Sequence, residues 1–547
     1  MKKLLVICFL MIGFAISAMA SISFEVTLSD EVAEEALDGR LVVIITQNSA
    51  REPRLQVSVT GVPIWGITMD LWNPGDTVLM ADGDPEIYGF PLEQFSDIPA
   101  GTYFVQAFFT VYTTFERADG HVLKLAEPGG SGGIQRNFTD PGNIYSAVQE
   151  VYLDPESPET IKLVLDNIIK PDYASDEIVQ QGVYEDSELV KFVTIQSELV
   201  SEFWGRPMYI GANILLPKGY HENPDVYYPV YYLQGHWPGG RAPLSFGQGR
   251  DIDEIWMSDD FPRMIVVEIR DANPYYGTSY SVNSANLGPY GDAIVKELIP
   301  YLEKNFRMIT ESWARLISGG STGGWESMAL QVFYPDFFGG TWPVCPDGLD
   351  FHAFQLVNVY EHKNAYYDEI GAGWITTERP SNRTIEGQIR FTVRQENYWE
   401  HALGTHSRSG RQWAIWEAVY GPVGEDGYPA KIWDAVTGEI DKGVAEYWKN
   451  FDFTIYLKEN WEEIGHLLVG KIHVHMGDMD TYYLNNGAYL LEEFLESTTD
   501  PYYDGTFTYY RRTGHSVPLS HQERILMMAE HIEKNAPAWV DTSKWNY

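Results

Sequence analysis

Two cysteines in 547 residues leave no material for a disulfide framework. Cys8 sits in an N-terminal apolar run and Cys345 stands alone beyond it, so no intrachain disulfide is expected. Cationic side chains are scarce as well: Lys and Arg number 38 against 77 Asp and Glu, a formal charge of −39. A surface of that sign repels phosphate backbones and anionic lipid, which argues against nucleic-acid and membrane-surface binding. After the N-terminal run, no apolar stretch reaches the ~20 residues that a membrane span needs. No repeat with a period of about 20–50 residues is visible, which argues against a solenoid or propeller. What remains is a globular composition, 44% hydrophobic and 21% charged, ample for a core.

The first 20 residues read as a processing signal. Lys2 and Lys3 precede an apolar run, Leu4 to Ile16, and the small-residue pattern ending at Ala20 suits signal-peptide cleavage. The expectation is a secreted or periplasmic protein of unknown oligomeric state. Residues 21–170 read as a β-rich, sandwich-like domain. Leu55, Val57 and Val59 alternate with polar residues, Leu41 to Ile45 is β-branched, and Thr102 to Phe115 and Thr160 to Ile169 are strand-like. Asp82-Gly83 and Asp119-Gly120 mark turns, and Gly129 to Gly133 reads as a flexible loop with no phosphate-loop Lys after it. A linker is placed at 171–187. From 188 to 547 strand-like and helix-like segments alternate, the texture of a mainly parallel sheet covered by helices. An aromatic segment at about 351–455, holding Trp399, Trp413, Trp416, Trp433 and Trp448, interrupts that rhythm and reads as a cap-like insertion.

The strongest local signal is Gly319-Gly320-Ser321-Thr322-Gly323-Gly324, a G-x-S-x-G between a short apolar strand and a helix-like stretch. That context suits a nucleophile elbow, where a tight turn offers the serine hydroxyl at a helix N-terminus. A serine needs a base and the base an orienting acid, in the chain order Ser, acid, His on this type of sheet. Asp480 follows the strand-like Lys471 to Met476, and His515 follows the strand-like Phe507 to Tyr510. Asp478 is an alternative acid, with Asp347 and Asp350 weaker ones. His521 is a weaker base that starts the last helix. His473 and His475 share a strand face but lack a third ligand, so no metal is assigned. An oxyanion hole needs two N–H donors; Thr322 N–H is one, and the backbone N–H of His236, in the turn opened by Gly235, is the other candidate.

These residues resemble a known family. Leu215 to Tyr220, the strand ending Leu233-Gln234-Gly235, Tyr280 to Ser284, Gly288 to Asp292 and Gly319 to Gly324 are similar to the putative esterase (esterase D-like) family of the α/β-hydrolase superfamily. That group is similar to feruloyl and acetyl xylan esterases, enterochelin esterases and mycolyltransferases. The resemblance covers about 190–345 and 465–535. It implies an α/β-hydrolase fold and a Ser321–Asp480–His515 triad, with the His236 and Thr322 N–H groups as oxyanion donors. Gln234 departs from the family's usual His at that position.

The expected activity is cofactor-free, metal-free hydrolysis of a small-molecule or carbohydrate ester through an acyl-enzyme. The alternatives are an acyltransferase and a catalytically idle carbohydrate-binding surface protein. Exposed tryptophans of the insertion, Trp413 and Trp416 among them, would line the pocket or stack on sugars, although a buried core is the commoner fate of such side chains; the alternative is a peripheral insertion whose tryptophans fill its own small core. Asn137 and Asn382 open glycosylation sequons, relevant only where the host glycosylates.

Overall fold

Eight strands between Val190 and Tyr510 build the sheet that carries the nucleophile: β1 (Val190–Ser197), β2 (Met208–Leu215), β3 (Val230–Gln234), β4 (Ile265–Arg270), β5 (Arg315–Gly320), β6 (Gly340–Val344), β7 (His473–Gly477) and β8 (Thr506–Tyr510). The computed structural model describes residues 22–128, 138–157, 159–171, 179–236, 239–370 and 373–546. The expected signal peptide, the 129–133 glycine run, Asn137 and part of the 171–187 linker lie outside them. The sheet order is β1-β2-β4-β3-β5-β6-β7-β8. β2 runs antiparallel to β1 and β4, and the remaining pairs are parallel. Central strands covered on both faces must be apolar throughout; Tyr231, Tyr232, Leu316 and Ile317 are all fully buried.

Helix α1 (Thr322–Phe333) follows β5 directly. After β6 the chain leaves the sheet and forms α2 (Val393–Leu403) and α3 (Gln412–Tyr420), returning through α4 (Phe453–Leu468) to β7. This excursion has no core of its own. Trp413, Trp416, Trp433 and Trp448 join one apolar cluster with the sheet residues Leu316 and Ile317 and with Trp325 of α1. The expectation of exposed tryptophans is therefore overturned: Trp413 and Trp416 are 2% and 3% exposed. Their indoles pack edge to face, 4.7 Å between centroids, and Trp416 packs on Phe354. Large aromatic surface is better buried than displayed where two layers can share it. Asn382 is also buried, which removes that sequon from the accessible surface.

The N-terminal strands are hydrogen-bonded into one ten-stranded sheet, and Phe24 and Trp65, from strands far apart in its order, both pack on Phe95 within one apolar cluster. Its longest strand, Gly101–Glu116, pairs with Leu37–Thr46, Val122–Ala126, Ile144–Ser146 and Gln149–Leu153. The alternating stretch 55–59 is not a strand. Pro53 starts a 3-10 turn, Pro53–Gln56, and Val57 turns into a small cluster with Phe138 and Trp399. That cluster shows what the sheet's second face does. Val42, Ile44 and Phe108 pack against Trp399, Ala402 and Leu403 of α2. Buried Arg40 donates to the Ala402 and His401 carbonyls, satisfying the open C-terminal end of α2. The N-terminal sheet thus holds α2 in place. Among the described residues, no helix is long and apolar enough to cross a membrane.

Candidate active site

The turn between β5 and α1 sets the nucleophile's position. Ser321 has φ 57° and ψ −122°, a left-handed backbone that a non-glycine residue adopts only under constraint. Its N–H donates to the Val344 carbonyl of β6 and its carbonyl accepts from Gly324 and Trp325, which over-determine the turn. Gly323 is required by space: a Cβ there would meet the Gln234 carbonyl oxygen at 2.3 Å. Gly477, at the end of β7, is required for the same reason. A Cβ there would meet the Gly514 carbonyl at 2.1 Å, so its absence lets the loops after β7 and β8 touch.

Those loops carry Asp480 and His515 to the serine. Ser321 Oγ lies 2.9 Å from His515 Nε2, and His515 Nδ1 lies 2.7 Å from Asp480 Oδ2. Asp480 is fully buried and its other oxygen accepts the Tyr482 and Leu484 N–H groups. Burial works to lower the His515 pKa, but the charge and hydrogen bond of Asp480, aided by the charge of Asp347, hold it above the usual value. Asp478 is elsewhere: it accepts the Arg512 N–H and has no bond to His515. Asp350 and His521 are also removed from the serine, bonded to His352 and Arg524 respectively. His473 stacks on Trp342, and His475 bonds Tyr510.

At the oxyanion position the candidate donor was the backbone N–H of His236; its imidazole also reaches the serine. His236 Nε2 lies 3.2 Å from Ser321 Oγ and accepts the Thr322 N–H at 3.4 Å. Nδ1 meets the Tyr276 hydroxyl at 3.1 Å. Burial, with the His515 charge adding to it, pushes the His236 pKa down to about 3, so this ring stays neutral.

Asp347, a weaker acid candidate in the sequence, has another place in the site. It does not orient the histidine but sits beside the nucleophile, Oδ1 at 3.4 Å from Ser321 Oγ. Its other oxygen accepts from Tyr280, Thr322 and Gln412. Burial raises its pKa, opposed by the Tyr280 bond and the His515 charge. Its place after β6, the strand beside the nucleophile's, was a usable signal; nothing in the sequence marked Gln412, which α3 brings from far along the chain.

Ser321, His515, His236 and Asp347 form one wall of a cavity of about 340 Å³. Gln355, Glu396, Gln412 and Trp416 come from the excursion, and Tyr482 and Leu484 complete the lining. Two groups of possible metal ligands occur among the described residues. In Cys345, Asp480 and His515, the acid and base already bond each other, and burial pushes the thiol up to about 12. In Asp350, His352 and Asp452, Asp452 is occupied in capping α4 and in bonding Phe351 N and Tyr360. Both groups are accounted for by protein partners.

Residues 202–342 match the model of the family described as "Putative esterase". A curated endo-1,4-beta-xylanase/feruloyl esterase of Xylanibacter ruminicola is 25% identical over 185 residues, 32% of this chain. The match spans only 24% of that longer relative. Among solved structures, a ferulic acid esterase is similar at 16% identity, covering 60% of this chain and 92% of its own, with a TM-score of 0.34. An S-formylglutathione hydrolase from Agrobacterium tumefaciens is similar at 14% identity, covering 63% and 94%, with a TM-score of 0.36.

Proposed function

We propose that the protein is a serine hydrolase of carboxylic esters working through an acyl-enzyme. The observation that carries this reading is the 2.9 Å and 2.7 Å pair of contacts linking Ser321, His515 and Asp480 on a strained turn. Ser321 Oγ attacks the carbonyl carbon while His515 Nε2 takes its proton. Asp480 fixes the tautomer with the proton on Nδ1 and stabilises the imidazolium. The proton then passes to the departing alcohol, and water repeats the sequence to release the acid. The tetrahedral oxygen takes the Thr322 N–H at the start of α1, where free N–H groups favour negative charge. In the resting arrangement His236 Nε2 occupies that N–H, so the imidazole withdraws when the carbonyl oxygen arrives. The signal-like residues 1–20 suit action outside the cytoplasm.

A fluorophosphonate probe tests the reading. It should label the purified protein once, at Ser321, and Ser321→Ala should abolish labelling and lower ester turnover by about 10³-fold or more. Labelling that survives in the mutant would remove the assignment. Product analysis with an added alcohol separates hydrolysis from acyl transfer, which differ only in what enters at deacylation.

A further inference from the structure

The cavity has a second polar grouping that the reaction at Ser321 does not use. Gln355 and Glu396 reach it from the excursion, and Tyr482 from the loop after β7. Gln355 is 1% exposed and has φ 57°, a left-handed backbone in a buried, non-glycine residue. Such strain persists only where surrounding structure enforces it, and it concentrates at sites that bind. Ser381 ties the two longer side chains together: its Oγ lies 2.5 Å from Glu396 Oε2 and 3.1 Å from Gln355 Oε1.

Proton accounting gives the group its character. A serine hydroxyl has one proton and two acceptors face it here. The contacts are all satisfied when Glu396 is the neutral acid, donating to Ser381 Oγ, which in turn donates to Gln355 Oε1. Burial raises the Glu396 pKa, opposed by its bond to Ser381, which favours that neutral form. Gln355 Nε2 is then left with two protons, and neither it nor the Tyr482 hydroxyl has a hydrogen-bond partner among the described residues. Tyr482 also packs edge-on against the His515 ring, 5.1 Å between centroids, so this grouping adjoins the reacting centre. Among the described residues, no Lys or Arg lines the cavity.

We propose that Gln355, Glu396 and Tyr482 form a specificity subsite for an uncharged, hydroxyl-bearing end of the ester. Gln355 Nε2 donates to that hydroxyl's oxygen, and the Tyr482 oxygen takes its proton. An anionic group there would meet the Asp347 carboxyl across the cavity, with no Lys or Arg in the lining among the described residues. The subsite rests on the ester-hydrolase reading and deepens it. Its three residues lie outside the 202–342 segment that matches the esterase family model, Gln355 and Glu396 on the excursion and Tyr482 after β7.

The test compares kcat/KM for matched esters on the full chain. Methyl 4-hydroxycinnamate against methyl cinnamate places the hydroxyl on the acyl side. Glycerol 1-acetate against propyl acetate places it on the alcohol side. A site built to bond a hydroxyl discriminates strongly against the analogue that lacks it, so one pair should differ by at least about tenfold in the wild type. Tyr482→Phe, which removes a single oxygen, and Gln355→Leu should each bring that ratio toward one. The pair that responds tells which side of the ester the subsite holds. Flat wild-type ratios in both pairs, or a ratio that survives both substitutions, would overturn the subsite. Equal turnover of monomethyl succinate and methyl butyrate would do so too. Fluorophosphonate labelling of Ser321 in the same preparations separates the two levels. Labelling with flat ratios removes the subsite alone, whereas no labelling of the wild type removes the hydrolase reading beneath it.

Discussion

The two walls of the cavity are built by opposite means. On the sheet side, backbone geometry places the reactive groups: a left-handed Ser321, a Gly323 pressed on β3, and a Gly477 pressed on the loop of His515. On the excursion side, side chains place side chains. Glu400 of α2 accepts the Trp413 and Ala414 N–H groups at 2.9 and 3.0 Å and the Ser409 hydroxyl at 2.8 Å, starting α3 and so fixing Gln412. Burial pushes that carboxyl up to about 8. α2 itself is held by Arg40 of the N-terminal sheet. A wall set by backbone turns is local and survives changes elsewhere, whereas a wall set by buried polar and aromatic contacts depends on distant parts of the chain. Damage on the first side should therefore appear as lost rate, and on the second as lost stability.

The largest expected effect tests the sheet side. Asp480→Asn keeps the fold's bonds to Tyr482 and Leu484 but leaves the His515 proton on the wrong nitrogen, lowering kcat by up to ~10⁴-fold. Asp478→Asn should change little, since its carboxylate serves the Arg512 N–H. Stopped assays on the two variants with unchanged melting curves would support the contrast. The reverse ranking would move the acid to Asp478.

That contrast follows the line between what the sequence disclosed and what it hid. The closeness of Ser321, Asp480 and His515 was legible because each lies just past a strand end, and strand ends are marked by short apolar runs and glycines close in sequence. Asp480 and His515 needed only chain order. The N-terminal strands at Leu41 to Ile45, Thr102 to Phe115 and Thr160 to Ile169 were legible from the same local pattern. The 55–59 alternation was not, because a proline turn and packing against α2 outweighed a period-2 pattern. Trp413 and Trp416 were misread as exposed because burial of an aromatic is decided by what packs on it, here Phe354 and Trp433. The His236 imidazole was invisible for a related reason: side-chain direction in a glycine turn is not encoded by spacing.

On the excursion side, Trp413→Ala is the matching probe. Its indole is buried against Trp416, Trp433 and Phe354, and truncating a buried aromatic costs about 3–5 kcal/mol. Urea unfolding should read that loss, while the folded fraction should still be labelled by fluorophosphonate. A variant as stable as the wild type but slow to label would reverse the comparison and make the excursion part of the rate machinery.

His236 lies where the walls meet and gives a test whose sign is decisive. Its displacement breaks a long bond from the Thr322 N–H and a contact to Tyr276, each worth about 0.5–1.5 kcal/mol. His236→Ala removes that cost, so the labelling rate should rise by roughly two- to tenfold per bond relieved. A fall instead would show that the imidazole is itself a required donor to the oxyanion and not an occupant of its place.

The smallest effect concerns charge. His515 acts as base only when neutral, so the acid limb of the kcat/KM–pH profile follows its titration in the free enzyme. Burial alone would lower that pKa; the Asp480 charge and hydrogen bond, then the Asp347 charge, raise it above the usual histidine value. The limb should accordingly lie at higher pH than for an unperturbed histidine, with activity lost as pH falls through it. Asp480 cannot be used to measure this, because removing it also removes the tautomer control. Asp347 can. Asn at 347 retains an oxygen to accept from Tyr280 and Thr322 but carries no charge toward His515. Removing a raising influence lowers the His515 pKa, so Asp347→Asn should move the acid limb to lower pH. An unmoved limb would mean that Asp347 is already the neutral acid where His515 titrates, as its own burial favours. The charge that tunes the base would then come from Asp480 alone, and the walls would be coupled through hydrogen bonds and not through charge.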